Sequence, residues 1–91
     1  MIKNIRHKGL KRLFEEADPS GVNAEHVGKL RNILATLNAA PTLSHMDLPG
    51  FRLHPKGQTK GFWSVTVRAN WRVIFRFAEG QAEDVDLVDY H

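Results

Sequence analysis

Two histidines and a set of arginines carry the chemistry available to this chain. His54 stands just before Pro55 and a polar stretch, 55–61, that holds Lys56 and Lys60. Asp89, Tyr90 and His91 occupy consecutive positions at 89–91. Between the two groups lie Arg68, Arg72 and Arg76, with Arg52 close before His54. Imidazole is the side chain that most readily gives and takes protons near neutral pH. A planar guanidinium grips phosphate oxygens through parallel hydrogen bonds. A lone histidine is commonly structural, and arginines on an open sheet are commonly just solvated. Two imidazoles beside several guanidinium groups are, however, the parts needed to cleave RNA without a metal. A base takes the proton of the 2′-hydroxyl, cations stabilise the phosphorane, and an acid protonates the departing 5′ oxygen. Tyr90 can stack on a base or donate a hydrogen bond. His7, His26 and His45 show no partner pattern and are expected at the surface. The HxH and HExxH spacings of metal sites do not occur, so neither a catalytic metal nor another cofactor is expected.

The elements that position these residues divide near Pro49-Gly50. Before that point apolar residues follow helical spacing, and after it they alternate. Ile2 and Ile5 suggest a short first strand, and Leu10, Leu13, Phe14 and Ala17 a first helix. Asp18-Pro19-Ser20-Gly21 breaks the chain. Asn23 is placed to cap a second helix, whose stripe of Val27, Leu30, Leu34 and Leu37, widened by Ile33, ends before Pro41. That stripe is read as core packing against a sheet, and 41–50 as a connection. In the second half Phe51 and Leu53 are expected on one face of a strand, with Arg52 and His54 on the other. Trp63, Val65 and Val67 alternate with Ser64, Thr66 and Arg68. Ala69-Asn70 forms a two-residue hairpin turn in which Asn takes positive φ. Trp71, Val73, Phe75 and Phe77 then alternate with Arg72, Ile74 and Arg76, and Val85 and Leu87 mark a last short strand. The expected fold is α+β, with two N-terminal helices on one face of a mainly antiparallel sheet. The opposite face would bear Arg52, His54, Ser64, Thr66, Arg68, Arg72 and Arg76. Register is the weak point of such a reading, because a slip of one residue exchanges the faces.

Ninety-one residues suit one domain, 1–91, with a radius of gyration of about 12 Å. Cysteine is absent, which excludes disulfides, thiol catalysis and zinc ribbons. No apolar run approaches a membrane span, and the first residues lack the apolar stretch of a signal peptide, so a cytoplasmic protein is expected. All 13 Lys and Arg lie between Lys3 and Arg76. From Phe77 onward the chain holds five acids and no Lys or Arg, which leaves residues 1–76 with an excess of eight positive charges. A basic body of this kind suits a polyanionic partner such as nucleic acid, although charge spread over a surface is the plainer reading.

Three stretches together resemble HigB-type toxins of the RelE/ParE superfamily. They are 52–55 (RLHP), 61–75 (GFWSVTVRANWRVIF) and the terminal Asp89-Tyr90-His91. Met1-Ile2-Lys3, His7-Lys8-Gly9-Leu10 and Leu13-Phe14 also fit, while 18–50 match in outline. The resemblance implies a compact RelE-like, microbial ribonuclease-like fold. It implies an mRNA interferase that cuts message in the ribosomal A site, independently of metal, leaving a 2′,3′-cyclic phosphate and a 5′-hydroxyl. A helix-turn-helix antitoxin of the HigA kind would neutralise it, and operator DNA would be bound only through that complex. By the same resemblance His54, Asp89, Tyr90 and His91 are catalytic; the superfamily varies in which groups serve as base and acid, and of the two assignments the one taken here has His54 as base and His91 as acid. Asp89 would tune or orient a neighbour, and Tyr90 would hold the RNA. Arg68 and Arg72 match arginines placed near the scissile phosphate, and Lys56 and Lys60 fall in a basic loop. The alternative is a non-catalytic inhibitor on the same fold, like the ParE branch that poisons DNA gyrase.

Overall fold

A computed structural model describes residues 1–56 and 61–90. Helix α1 spans Lys8–Glu16 and α2 spans Val27–Ala39. Short 3₁₀ turns cover Pro19–Gly21, Ala24–His26 and Leu43–Met46. Four strands follow: β1 His54–Pro55, β2 Phe62–Arg68, β3 Trp71–Ala78 and β4 Gln81–Asp89. They form one antiparallel sheet in the order β1-β2-β3-β4.

The start of α1 is fixed by His7, whose Nδ1 accepts a hydrogen bond from the Leu10 amide at 3.0 Å. This is the task usually given to Ser, Asp or Asn, because the first amides of a helix have no partner within it. Ala17 ends the helix in the left-handed conformation, and the Asp18 amide donates back to the Arg12 carbonyl. Gly9 lies against Gly21, where a Cβ would run into the Gly21 carbonyl, so α1 and the following turn meet backbone to backbone. Asn23 caps as expected, but it caps the 3₁₀ turn leading into α2, accepting from the Glu25 amide at 2.9 Å.

Helical spacing and sheet alternation converge on one core. Leu10, Leu13, Leu30, Ile33, Leu34 and Leu37 meet Val65, Val73, Phe75, Val85 and Leu87. Each such aliphatic or aromatic side chain contributes about 1.5–3 kcal/mol when fully buried. Met46 and Phe51, from the connection, close the core beneath the helices. Trp63 and Trp71 are half-buried at its rim.

The segment holding Ile2 and Ile5 joins the sheet beside β4 in parallel, with Lys3 and Arg6 amides donating to the Ala82 and Val85 carbonyls at 2.7 Å. The sheet is thus mainly antiparallel, as expected, and the Cα radius of gyration is 11.9 Å.

Four expectations about the second half need correction. Residues 51–53 are not strand: Arg52 has φ +52, and pairing with β2 begins only at His54. In the hairpin turn the left-handed residue is Ala69, not Asn70. Alternation breaks at two irregularities, one between Thr66 and Arg68 opposite β3 and one between Ile74 and Arg76 opposite β4. The face away from the helices is also less open than its polar residues suggest. Phe62 and Ile74 are 9% and 8% exposed there, and Ser64 is fully buried. The Arg76 guanidinium, 5.7 Å over the Phe62 ring, supplies part of the cover.

Candidate functional site: the sheet face opposite the helices

Antiparallel register aligns His54, Ser64, Ile74 and Asp86 in one row across all four strands. Thr66, Arg72 and Val88 form the next row, and Phe62, Arg76 and Glu83 lie on the other side. His54 is exposed, and its ring is held from below: Nδ1 lies 2.8 Å from the Ser64 hydroxyl. That bond leaves the Nε2 edge of the imidazole as the part that reaches outward.

Tyr90 follows β4, and its amide donates to the Asn70 carbonyl in the β2–β3 turn at 2.8 Å. The chain is therefore tied down immediately after β4. Two cations flank the Tyr90 ring, the Lys56 ammonium at 5.7 Å and the Arg72 guanidinium at 5.8 Å. Arg72 is itself fixed, donating from Nη1 to the carbonyls of Ala69 at 2.6 Å and Trp71 at 3.1 Å. An aromatic ring and two cations are thereby gathered on the face that carries His54. Such a group suits a phosphate backbone with an unstacked base.

The other residues singled out from the sequence fall elsewhere. The irregularity after Thr66 takes Arg68 out of alternation with Arg72, and its guanidinium pairs with Glu25 at 2.9 Å, beside the start of α2. Arg52 is exposed in the turn ahead of β1 rather than on a strand. Arg76 keeps its place on the face and lies 3.8 Å from the Asp84 carboxylate. Asp89 pairs with Trp71, the parity of the helix side, whereas Tyr90 belongs to the other. Lys60 and His91 lie outside the described residues.

A family model for RelE-like toxins of the type II toxin–antitoxin system HigB matches residues 3–91. A curated relative, Endoribonuclease HigB of Proteus vulgaris, is 44% identical over 92 residues, covering all of both chains. The chain belongs to the HigB-like toxin family. A toxin of such a system has an antitoxin as its partner. The α+β fold expected for a RelE-like toxin is the one observed, with both helices on one side of the sheet.

In this HigB-like chain three histidines expected to be idle have partners. His7 caps α1. His26 is 5% exposed and packs against Trp71, with ring centroids 5.6 Å apart. His45 Nδ1 lies 2.9 Å from the Thr42 hydroxyl. Asp84-Val85-Asp86 does carry the D-x-D spacing that metal sites can use. Asp84 nevertheless sits at a left-handed bulge, φ +53, where Asn4, Arg6 and Arg76 engage it. No group of three His, Cys, Asp or Glu among the described residues converges as a metal site would require. Sequence reasoning missed Ser64, which it placed among the exposed polar residues. Its partnership with His54 comes from cross-strand register, which alternation within one strand does not contain.

Proposed function

We propose that this HigB-like toxin is an mRNA endoribonuclease that cuts message in the ribosomal A site. What supports the reading is the grouping of His54, Tyr90, Lys56 and Arg72 on one sheet face, together with a relative named as an endoribonuclease over its whole length. In the reaction His54 takes the proton of a 2′-hydroxyl. The resulting oxyanion attacks the adjacent phosphorus, and the bond from phosphorus to the 5′ oxygen breaks. His91 gives a proton to that oxygen, leaving a 2′,3′-cyclic phosphate and a 5′-hydroxyl. Arg72 and Arg76 balance the charge that develops on the phosphorane, and Tyr90 holds the RNA. Lys56 steadies the tyrosine ring and adds to the local positive potential, with Lys60, Arg52 and Arg68 as further phosphate contacts. Asp89 tunes a neighbour from behind the tail. No metal takes part.

The open face is shallow, and a flexible message laid on it would not be held in the in-line geometry that displacement requires. The ribosome supplies that orientation, and the basic surface docks on ribosomal RNA through phosphate contacts. The protein acts in the cytoplasm. A helix-turn-helix antitoxin neutralises it, and operator DNA is engaged only through the complex.

The test is cleavage of end-labelled mRNA with and without ribosomes, comparing wild type with His54→Ala and His91→Ala. Transition metals are removed by a chelator added short of the ribosome's magnesium. Cleavage at the A-site codon is expected only with ribosomes, and at least about a hundredfold slower in either variant. Equal digestion of naked RNA would remove the ribosome from the mechanism. No cleavage in any condition would favour a non-catalytic inhibitor on this fold, and DNA gyrase supercoiling would be assayed next.

A further inference from the structure

Among the described residues Ser64 is the one fully buried polar side chain on the sheet face that carries His54, and its partner is the His54 ring. It lies in the middle of β2, bracketed by Trp63 and Val65, and is cross-paired both to His54 on β1 and to Ile74 on β3. A hydroxyl there makes no use of its strand-forming tendency, which is below that of the valine and threonine nearby. A buried hydroxyl also costs free energy unless it is hydrogen-bonded. No buried side-chain nitrogen or oxygen among the described residues lacks a partner, so the cost is met through His54.

We propose that Ser64 is a positioning residue for the RNA-cleaving reaction, holding the His54 imidazole with Nε2 outward and accepting from Nδ1–H as the ring takes up its proton. The inference rests on the reading of His54 as a proton-transfer group. β1 is only two residues long, so its backbone alone cannot hold a ring steady. The hydroxyl is suited to the task because its oxygen can accept from a ring N–H. In the neutral ring that serves as base Nε2 is bare and Nδ1 carries the hydrogen, so the Ser64 oxygen accepts from Nδ1–H and fixes that tautomer. When Nε2 takes the 2′-hydroxyl proton the ring becomes cationic, and the same Nδ1–H, already bonded to the Ser64 oxygen, becomes a charged donor. A hydrogen bond from a charged donor is stronger than one from a neutral donor. The interaction therefore grows as the reaction proceeds, which is the condition for raising the rate rather than the affinity. Ser64 does this without touching RNA, since it has no exposed surface.

The experiment is a double-mutant cycle on ribosome-bound message, using single-turnover cleavage by wild type, Ser64→Ala, His54→Ala and the double variant, with Ser64→Thr as the conservative replacement. Ser64→Ala is expected to cut about tenfold more slowly, the worth of one hydrogen bond, with the half-saturating toxin concentration unchanged. The double variant is expected to be no slower than His54→Ala alone, because the serine acts only through the ring. Ser64→Thr keeps the hydroxyl and is expected to restore most of the rate. Nitrogen-15 spectra of the His54 ring are expected to show an altered tautomer balance in Ser64→Ala and not in Ser64→Thr. Melting temperatures identify a Thr variant that is misfolded, in which case the cycle and the spectra decide. A slow His54→Ala beside a Ser64→Ala at the wild-type rate, or losses that simply multiply in the double variant, would overturn the positioning role while leaving His54 in the mechanism. A His54→Ala variant at the wild-type rate would overturn the reading on which it rests.

Discussion

At the scale of single residues, the chain assigns imidazoles to structure as readily as to chemistry. His7 does a helix cap's work with a ring nitrogen, His26 fills space against Trp71, and His54 alone of the four described faces outward from the sheet with a buried partner beneath it. Replacing His7 by alanine leaves the Leu10 amide without its acceptor and is expected to lower stability by about 1 kcal/mol, measured by urea unfolding. His7→Asn is expected to recover most of that loss, since asparagine is among the best caps. The three roles could not be told apart in the sequence, where each histidine is flanked by ordinary polar and apolar neighbours. A histidine's role depends on what lies beside its ring, and for His26 and His54 those neighbours, Trp71 and Ser64, are supplied by other elements of the fold. The tail was more legible. Three chemically capable side-chain types stand in consecutive positions there, and the Tyr90 amide among them is tied to the Asn70 carbonyl.

At the scale of elements, hydrophobic period sufficed for both helices and for the pairing of β2, β3 and β4. The stripe of Leu30, Ile33, Leu34 and Leu37 is buried throughout. Period failed where the backbone departs from repeat geometry. The irregularity between Thr66 and Arg68 sends Arg68 to Glu25, and the left-handed Arg52 prevents the strand expected at 51–54. Neither departure has a signature such as a glycine at the turning residue. The approach of α1 to the turn after it shows the opposite case, a close contact marked by glycine on both sides. Gly9→Ala is expected to cost about 1–3 kcal/mol, and more if the turn cannot retreat, because the new methyl meets backbone rather than a movable side chain. Thermal unfolding monitored by circular dichroism would measure it, with the exposed Gly28→Ala as a control, since nothing lies within 4 Å of a Cβ there.

At the scale of the whole molecule, the separation of charge along the chain disappears in space. The acidic run on β4 is folded against basic residues from the other end: Glu83 lies 3.5 Å from Lys3, and Asp84 lies 3.4 Å from Arg6 and 3.8 Å from Arg76. The positive excess counted along residues 1–76 is thus partly answered within the fold. Asp84 is held below the usual carboxylate range, first by the Asn4 side-chain amide and then by the Arg6 and Arg76 charges. A lowered carboxylate favours the fold while it is ionised. Its contribution is complete above the ordinary value of 3.8 and drains away as the pH falls from there through the lower folded value. Asp84→Asn is therefore expected to flatten the acid limb of melting temperature against pH, while the loss of the two ion pairs lowers stability slightly near neutrality.

The parallel seam between the first five residues and β4 joins positions about eighty apart in sequence, from the Asn4 side-chain amide at Asp84 to the backbone bonds at Ala82 and Val85. Seams of that separation close late, because the whole intervening chain must already be arranged. Loss of the seam would leave β4 amides and carbonyls at Ala82 and Val85 unpaired along an open strand edge, the kind of edge on which another chain can pair.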